Sequence, residues 1–501
     1  MTLDPDACYR ALQARDARFD GRLFVGVRTT GVYCRPICPA PCPKRQNVAF
    51  YPSAAAAQAA GFRPCLRCRP ECSPQLAGAR GSAATVSRAL SLIASGALDG
   101  GDVEGLALRL GIGARQLRRL FETHLGASPL AVAQTRRVLL AKQLLHETDL
   151  RMTDVAFAAG FGSLRRFNDA FRRLYGRPPS ALRREREARA GGSLERSGIT
   201  LTLGYAGRYD WDAVAAFLAA RAVPGIEVVE PRRYRRTIAL GGRAGTLEVA
   251  PREARRALAA TIRFPDVRAL PEIIRRVRAL FDLGSDVAAI GAHLAVDPLL
   301  APLVAARPGL RVPGAWDAFE CAVRAVLGQQ VALGAARALA ARLAAACGEP
   351  CGAGPDGGLR LLFPTPERIA GADLRALGLP RARAEALAAL ARAAAEDPEL
   401  FDETGDLEAK VARLMRLPGV GAWTAQYVAM RALREPDAFP AGDAGLLRAF
   451  ARARGARPSP AALLARAERW RPWRAYAAQH LWSAGAARDL HATPAPAEAV
   501  A

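Results

Sequence analysis

The chain has 501 residues, too many for one hydrophobic core, and its 51% hydrophobic content excludes a mainly disordered protein. Its 71 basic residues against 47 acidic ones leave a net charge of +24, which favours a polyanionic partner, although an Arg- and Ala-rich composition inflates that charge. No charged-then-apolar signal opens the chain and no uncharged run approaches membrane-spanning length, so a cytoplasmic protein with no membrane partner is expected.

Seven of the ten cysteines lie before residue 73. In a cytoplasmic chain they read as metal ligands or reactive thiols before disulfides. Cys34-Arg-Pro-Ile-Cys38 and Cys65-Leu-Arg-Cys68 form a CxxxC…CxxC set, and four thiolates complete a tetrahedral Zn2+ site. Spacing alone favours a purely structural zinc knot. Cys42 and Cys72 stand close to the quartet without belonging to it, and Cys42 reads as a free thiol. Cys8 reads as a helix-face residue.

The surrounding words, RLFVGVRTTGVYCRPICPA and PKRQNVAFYPSAAAAQAAGFRPCLRCRP, resemble the zinc-binding methyl-acceptor domains of the Ada type over about residues 8–70. The resemblance implies that Cys34 takes a methyl group from a DNA methylphosphotriester, with Cys38, Cys65 and Cys68 as the other zinc ligands. The chemistry is coherent with that role: zinc keeps thiols ionised at neutral pH, and the thiolate is the nucleophile. Converting Cys34 to a thioether removes one negative charge from the cluster, so affinity for the DNA polyanion is expected to rise. The transfer is expected to be stoichiometric.

Residues 80–190 carry 19 Lys and Arg against 10 Asp and Glu. Two similar units are legible: Val103–Leu110 leads through a Gly-Ile-Gly turn to Ala114–Leu125, and Thr153–Ala159 leads through Gly-Phe-Gly to Ser163–Tyr175. A short helix, a glycine turn and a longer basic helix make a helix-turn-helix. With a connecting helix near Pro129–His146, the pair resembles the AraC family of DNA-binding domains, most closely in DVAFAAGFGSLRRFNDAFRRLYGRPPSALR. Gln116, Arg118 and Arg119 are expected to face out of the first recognition helix. Ser163, Arg165, Arg166 and Asn168 are the candidates in the second, while Phe157, Phe161, Phe167 and Phe171 read as core.

RREREARAGGSLERS, residues 184–198, reads as a linker. Short β-rich runs follow at Ile199–Tyr205, Ile226–Glu230, Arg235–Leu240 and Thr246–Ala250, so an α+β subdomain is expected to about residue 307. From residue 312 the chain reads as helical. Within it, Leu417-Pro-Gly-Val-Gly-Ala-Trp-Thr-Ala-Gln-Tyr sets a two-glycine turn between two apolar-periodic helices, with Asp443 following Gly421 by 22 positions. Gly419 and Gly421 allow a tight turn whose backbone N–H groups, at a helix start, suit a DNA phosphate.

From YDWDAVAAFLAARAVPGIE at 209 to QHLWSAG near 480, the chain resembles the AlkA-type 3-methyladenine glycosylases of the helix-hairpin-helix superfamily. RPGLRVPGAWDAFECAVRAVLGQQV, FPTPERIA, LGLPRARAEAL, LPGVGAWTAQYVAMRAL and RPWRAYAAQHLW carry the match. The resemblance implies that Asp443 is the catalytic carboxylate and that Trp423, Tyr427, Trp482 and Phe217 form a pocket stacking an extruded, electron-poor base. Asp443 also suits the N-cap of the helix that follows, and both roles are compatible. Gln330 stands where the family places an apolar wedge after LGQ, and Gly442 stands where a second acidic residue often precedes the aspartate. Trp423 occupies the place of the lysine that lyase-type relatives use, and no cysteine follows Cys351 to hold an iron–sulfur cluster. A monofunctional glycosylase, with no cofactor for that step, is therefore expected.

The expected fold is multidomain and mainly α with α+β parts: a zinc-bound domain at 1–78, an all-α double helix-turn-helix at 80–184, an α+β subdomain at 199–307 and an all-α helix-hairpin-helix domain at 312–490. The expected partners are double-stranded and alkylated DNA at the nucleoid, and RNA polymerase for activation. Two alternatives stay open: a regulator whose glycosylase half is an inactive DNA clamp, and a glycosylase whose front half only delivers it to DNA.

Overall fold

The computed structural model describes residues 4–73, 81–190, 198–352, 358–402, 406–454 and 457–489. The expected junction near residues 78–80 and residues 191–197 of the expected linker lie outside those residues, while the linker's first part, 184–190, continues the helix Pro179–Ala190.

The first unit is built around a four-stranded sheet in the order Val48–Tyr51, Phe24–Val27, Val32–Cys34, Arg63–Pro64, with the last pair parallel. Its core is small: Leu23, Val25 and Val48 pack against Cys8, Ala11 and Leu12 of the helix Pro5–Gln13. Asp4 caps that helix, accepting from the amides of Asp6 and Ala7. Strand register places Val25 opposite Cys34. The strand therefore ends where the first sulfur is needed.

The basic segment folds as two helix pairs, Val103–Arg109 with Ala114–Leu125 and Met152–Ala158 with Leu164–Tyr175, joined by Pro129–Glu147. Leu117 and Phe121 anchor the first recognition helix, while Phe167 and Phe171 anchor the second. Phe161, Phe167 and Phe171 meet edge to face, with centroids 5.3 and 5.0 Å apart. Burying each such ring is worth roughly 1.5–3 kcal/mol. Phe157 differs from the expectation. It is half-buried and receives the guanidinium of Arg268 at 4.9 Å, so it serves the contact with the next unit rather than its own core.

The α+β unit holds five antiparallel strands rather than the four read from the sequence, in the order Ile199–Gly204, Ala257–Arg263, Arg243–Arg252, Arg233–Leu240, Glu227–Glu230. Ala257–Arg263 escaped notice because its alanines carry no strand preference; only pairing on both sides makes it a strand. The helices Trp211–Ala219 and Leu270–Leu280 cover the sheet, and Trp211 stacks on Phe281 at 5.8 Å.

The remaining helices form two clusters meeting along Ala422–Arg431. Arg311, from the LRVPG word, is wholly buried and donates to the carbonyls of Ala206, Arg208, Asp282 and Ser285. Asp282 in turn accepts from the Tyr476 hydroxyl and the Val312 amide and pairs with Arg434 at 2.6 Å. Apart from Arg311 Nε, these buried polar groups are paired with one another and lock the sheet unit to the helical unit.

Candidate active site and metal centre

A cleft of about 1020 Å³ opens where the sheet unit meets the helical unit. Trp423, Tyr427, Asp443 and Trp482 all line it. Trp423 and Tyr427 lie one turn apart on the helix Ala422–Arg431, with rings stacked at 5.4 Å and 18°. Trp482 stands edge-on to Tyr427 at 6.4 Å. Both indoles point their N–H at the same carboxylate: Trp423 Nε1 donates to Asp443 Oδ2 at 3.0 Å, and Trp482 Nε1 donates to Oδ1 at 2.8 Å.

Asp443 also opens the helix Ala444–Arg454, and its Oδ1 accepts from the Leu446 amide at 2.9 Å. Three donors occupy three of the roughly four lone-pair directions of an ionised carboxylate, leaving capacity toward the cleft. Gly445 belongs to this arrangement, which the sequence reading missed. A Cβ there would stand 2.9 Å from Asp443 Oδ1 and 3.4 Å from the Trp482 ring.

Phe217 is not brought into the cleft lining. Its ring is covered by the guanidinium groups of Arg221 at 3.6 Å and Arg431 at 4.3 Å, and those cations line the cleft in its place.

The two-glycine turn joins Leu407–Met415 to Ala422–Arg431. Val420 is buried while Pro418, Gly419 and Gly421 are exposed. Gly419 takes φ 76°, and a Cβ there would meet the Ala386 Cβ at 2.3 Å, so only glycine fits. Gly421 is the N-cap, and no side chain caps the helix it starts. Its first-turn amides remain open to an anion. Nearby, Gln329 Nε2 donates to the Gly419 carbonyl at 2.8 Å and to Thr424 Oγ1 at 2.9 Å. That brace holds Gln330 at the exposed loop tip with φ 54°, a conformation costing about 1–3 kcal/mol in a non-glycine residue.

In the first unit the sulfurs of Cys34, Cys38, Cys65 and Cys68 all lie within 4.8 Å of one another, and all four residues are buried. A tetrahedral zinc with bonds of about 2.3 Å spaces its sulfurs about 3.8 Å apart, so the donor set fits the ion. Backbone amides support three of the sulfurs: Arg35 N reaches Cys68 Sγ at 3.3 Å, Arg67 N reaches Cys65 Sγ at 3.4 Å, and the Cys38 thiol, held down chiefly by its neighbour Cys34, receives a smaller contribution from the Ala40 amide. Among the described residues no backbone amide donates to Cys34 Sγ. Cys42 is exposed and outside the quartet. Burial pushes the Cys72 thiol up to about 12, which leaves it unreactive.

Four family models match the chain in order: the metal binding domain of Ada over residues 7–71, a helix-turn-helix domain over 106–185, the AlkA N-terminal domain over 200–317 and the HhH-GPD superfamily of base excision DNA repair proteins over 323–475. A probable bifunctional transcriptional activator/DNA repair enzyme AlkA of Mycobacterium tuberculosis is 44% identical over 483 residues, 96% of each chain. The chain belongs to this family of bifunctional AlkA proteins. DNA-3-methyladenine glycosylase 2 of Escherichia coli is 39% identical over 56% of this chain and 96% of its own. Among solved structures, a 3-methyladenine DNA-glycosylase from Archaeoglobus fulgidus superposes with a TM-score of 0.51 at 26% identity, covering 57% of this chain and 98% of that one.

In the helix-turn-helix part of this AlkA-family chain, Gln116, Arg118, Arg119, Arg165 and Arg166 are exposed. Arg118 is held by Glu104 at 2.6 Å. Ser163 is less available than expected: its hydroxyl caps the second recognition helix, accepting from the Arg166 amide at 3.3 Å. Asn168 is half-buried. Among the described residues, no helix is long and apolar enough to cross a membrane.

Proposed function

We propose that the cleft hydrolyses the N-glycosidic bond of alkylated bases, of the 3-methyladenine and 7-methylguanine type, extruded from duplex DNA. The observation that carries this is the Asp443 carboxylate held by two indole N–H groups beside a stacked aromatic pair. The base stacks on Trp423, Tyr427 and Trp482, where a cationic ring gains about 1–2 kcal/mol or more of cation–π attraction. The C1′–N bond breaks with its electron pair moving to the base, and the sugar becomes oxocarbenium-like. Asp443 stabilises that charge and orients the attacking water. Gln330 fills the space the base vacates, and the amides after Gly419 and Gly421 hold the backbone.

Zn2+ held by Cys34, Cys38, Cys65 and Cys68 supplies one thing, ionised sulfur at neutral pH. Cys34 Sγ attacks the methyl carbon of a methylphosphotriester, the C–O bond breaks, and a phosphodiester anion leaves. The choice of Cys34 rests on its missing amide donor, because N–H···S bonds lower basicity and with it nucleophilicity. Arg119, Arg165 and Arg166, with Arg118, read DNA from the two recognition helices, and the methylated protein recruits RNA polymerase at promoters. The units proposed for these tasks are residues 1–78, 80–184, 199–307 and 312–490, acting in the cytoplasm at the nucleoid.

The test uses the full chain and duplex DNA carrying 3-methyladenine or 7-methylguanine, comparing wild type with Asp443→Asn. Base release by wild type and its loss in the variant is the expected result. Release that survives the substitution overturns the role of Asp443, and no release by either leaves a DNA clamp as the reading.

A further inference from the structure

The inner wall of the cleft carries more positive charge than its ion pairs use. Arg221, Arg236, Arg324 and Arg431 line it beside Glu227 and Glu320, and the third lining carboxylate, Asp443, is taken up by two indoles and an amide. Arg236 is held by Glu320 at 2.7 Å, and Arg324 is held by Glu227 and Glu320 at 2.9 and 2.7 Å. Arg221 and Arg431 have no carboxylate partner among the described residues.

Arg431 is the more deeply placed of these two, at 5% exposure. Its Nη1 donates to the Tyr427 hydroxyl at 2.8 Å and its Nη2 to the Gly314 carbonyl at 2.9 Å, while Nε finds no acceptor. Burial lowers its basicity, yet a guanidinium stays charged at neutral pH. Neighbouring rings compensate part of the cost, with Phe217 at 4.3 Å and Tyr427 at 5.5 Å from the guanidinium carbon.

Position makes this charge consequential. Trp423, Tyr427 and Arg431 follow one another four residues apart along one helix, a row about 12 Å long. Asp443 accepts from the first member, and the third is a cation. The cleft is therefore polarised, with an anion where the sugar would lie and a cation beyond the stacking rings.

We infer that Arg431 is a positioning residue for glycosidic cleavage, acting across Tyr427 to set a field that draws the bonding electrons of C1′–N onto the departing base. This rests on the glycosylase reading above. In the step, the C1′–N pair goes to the base nitrogen, water oxygen bonds to C1′, and the water's proton passes by way of Asp443 to solvent. A base with a permanent positive charge leaves neutral, and a neutral base leaves as an anion that takes up a proton. Electron density moves toward Arg431 in both cases. Only the charged base is repelled by Arg431 before reaction.

The field therefore has a signature that simple support of the fold lacks. Arg431→Gln keeps amide donors for Tyr427 and Gly314 but removes the charge. With 7-methylguanine, a cation, the single-turnover rate is expected to fall about tenfold while KM also falls; with hypoxanthine, neutral, the rate falls by a similar factor of about ten and KM stays put. Arg431→Lys retains the charge and restores the wild-type pattern. Tyr427→Phe removes the hydroxyl partner alone and does not produce the KM split. Unchanged affinity for undamaged duplex and an unchanged melting temperature show that each variant is folded. If Arg431→Gln is poorly folded, Arg431→Lys carries the test, since loss of the wild-type pattern there counts against the field. Equal effects on KM for the two bases, or the same split in Tyr427→Phe, would overturn the inference. No release of 7-methylguanine by the wild type would overturn the glycosylase reading and this inference with it, and where hypoxanthine is not released, a KM for 7-methylguanine that Arg431→Gln leaves unchanged overturns the inference alone.

Discussion

At the scale of residues, the cleft shows how a carboxylate is made single-minded. Asp443 is an N-cap and a predicted catalytic group at once, and the two demands agree because each uses a different lone pair. Asp443→Asn keeps the cap, since asparagine caps nearly as well, so its melting temperature should barely move while base release falls by about 10²-fold or more. Gly445 offers the converse experiment. Gly445→Ala should add up to about 1 kcal/mol to the helix by propensity, yet the new methyl must displace the carboxylate. A protein that melts no lower but excises bases at least several-fold more slowly is the expected outcome, measured by calorimetry and single-turnover assay. Trp423 and Tyr427 were legible in the sequence because they stand one helical turn apart, and Asp443 and Trp482 because of a family resemblance. Gly445 and Arg431 were not. A glycine inside a helix and an arginine at a helix end read as ordinary until the structure shows what stands against them.

At the scale of elements, the hairpin depends on glycine for two separate reasons, a left-handed backbone and the approach of Ala386. Gly419→Ala should cost roughly 1–3 kcal/mol and weaken binding to undamaged duplex, read by thermal melting and by DNA titration. Helices and strands with alternating or helical periodicity were found close to their true bounds. Ala257–Arg263 was not, because its strand character comes from its two neighbours rather than from its own side chains. The buried ion network of Glu227, Arg236, Glu320 and Arg324 was equally invisible, since Arg236 and Glu320 meet across 84 positions of sequence. Long-range polar partners leave no local pattern to read.

At the scale of the whole molecule, buried charges tie the sensor to the helix-turn-helix unit. Lys142 pairs with Glu71 at 2.5 Å and donates to the Cys65 carbonyl at 3.0 Å, while Arg69 bridges Glu71 and Glu147. Burial by itself would raise Glu71, but Lys142 and Arg69 overcome it and hold the carboxyl below its ordinary value. A depressed carboxylate stabilises fully above the unfolded pKa, about 4.3, and that contribution is lost as pH falls through the lower folded value. Stability of the first two units should therefore drop below about pH 4, and Glu71→Gln should flatten that acid limb while lowering stability at pH 7 by about 3 kcal/mol or more. The same helix also reaches the third unit: Gln143 Nε2 donates to the Thr202 carbonyl at 2.9 Å, and Glu147 Oε2 accepts from the Thr202 amide at 3.0 Å. Ile199–Gly204 is the outermost strand of its sheet. Two side chains thus imitate the one neighbour the strand lacks, and they belong to the transcriptional half. A repair half cut free at the linker would expose an open β-edge, prone to pair with another copy of itself. The fusion is then more than two activities on one thread, because the front half acts as a fitted cover for the open edge of the back half's sheet.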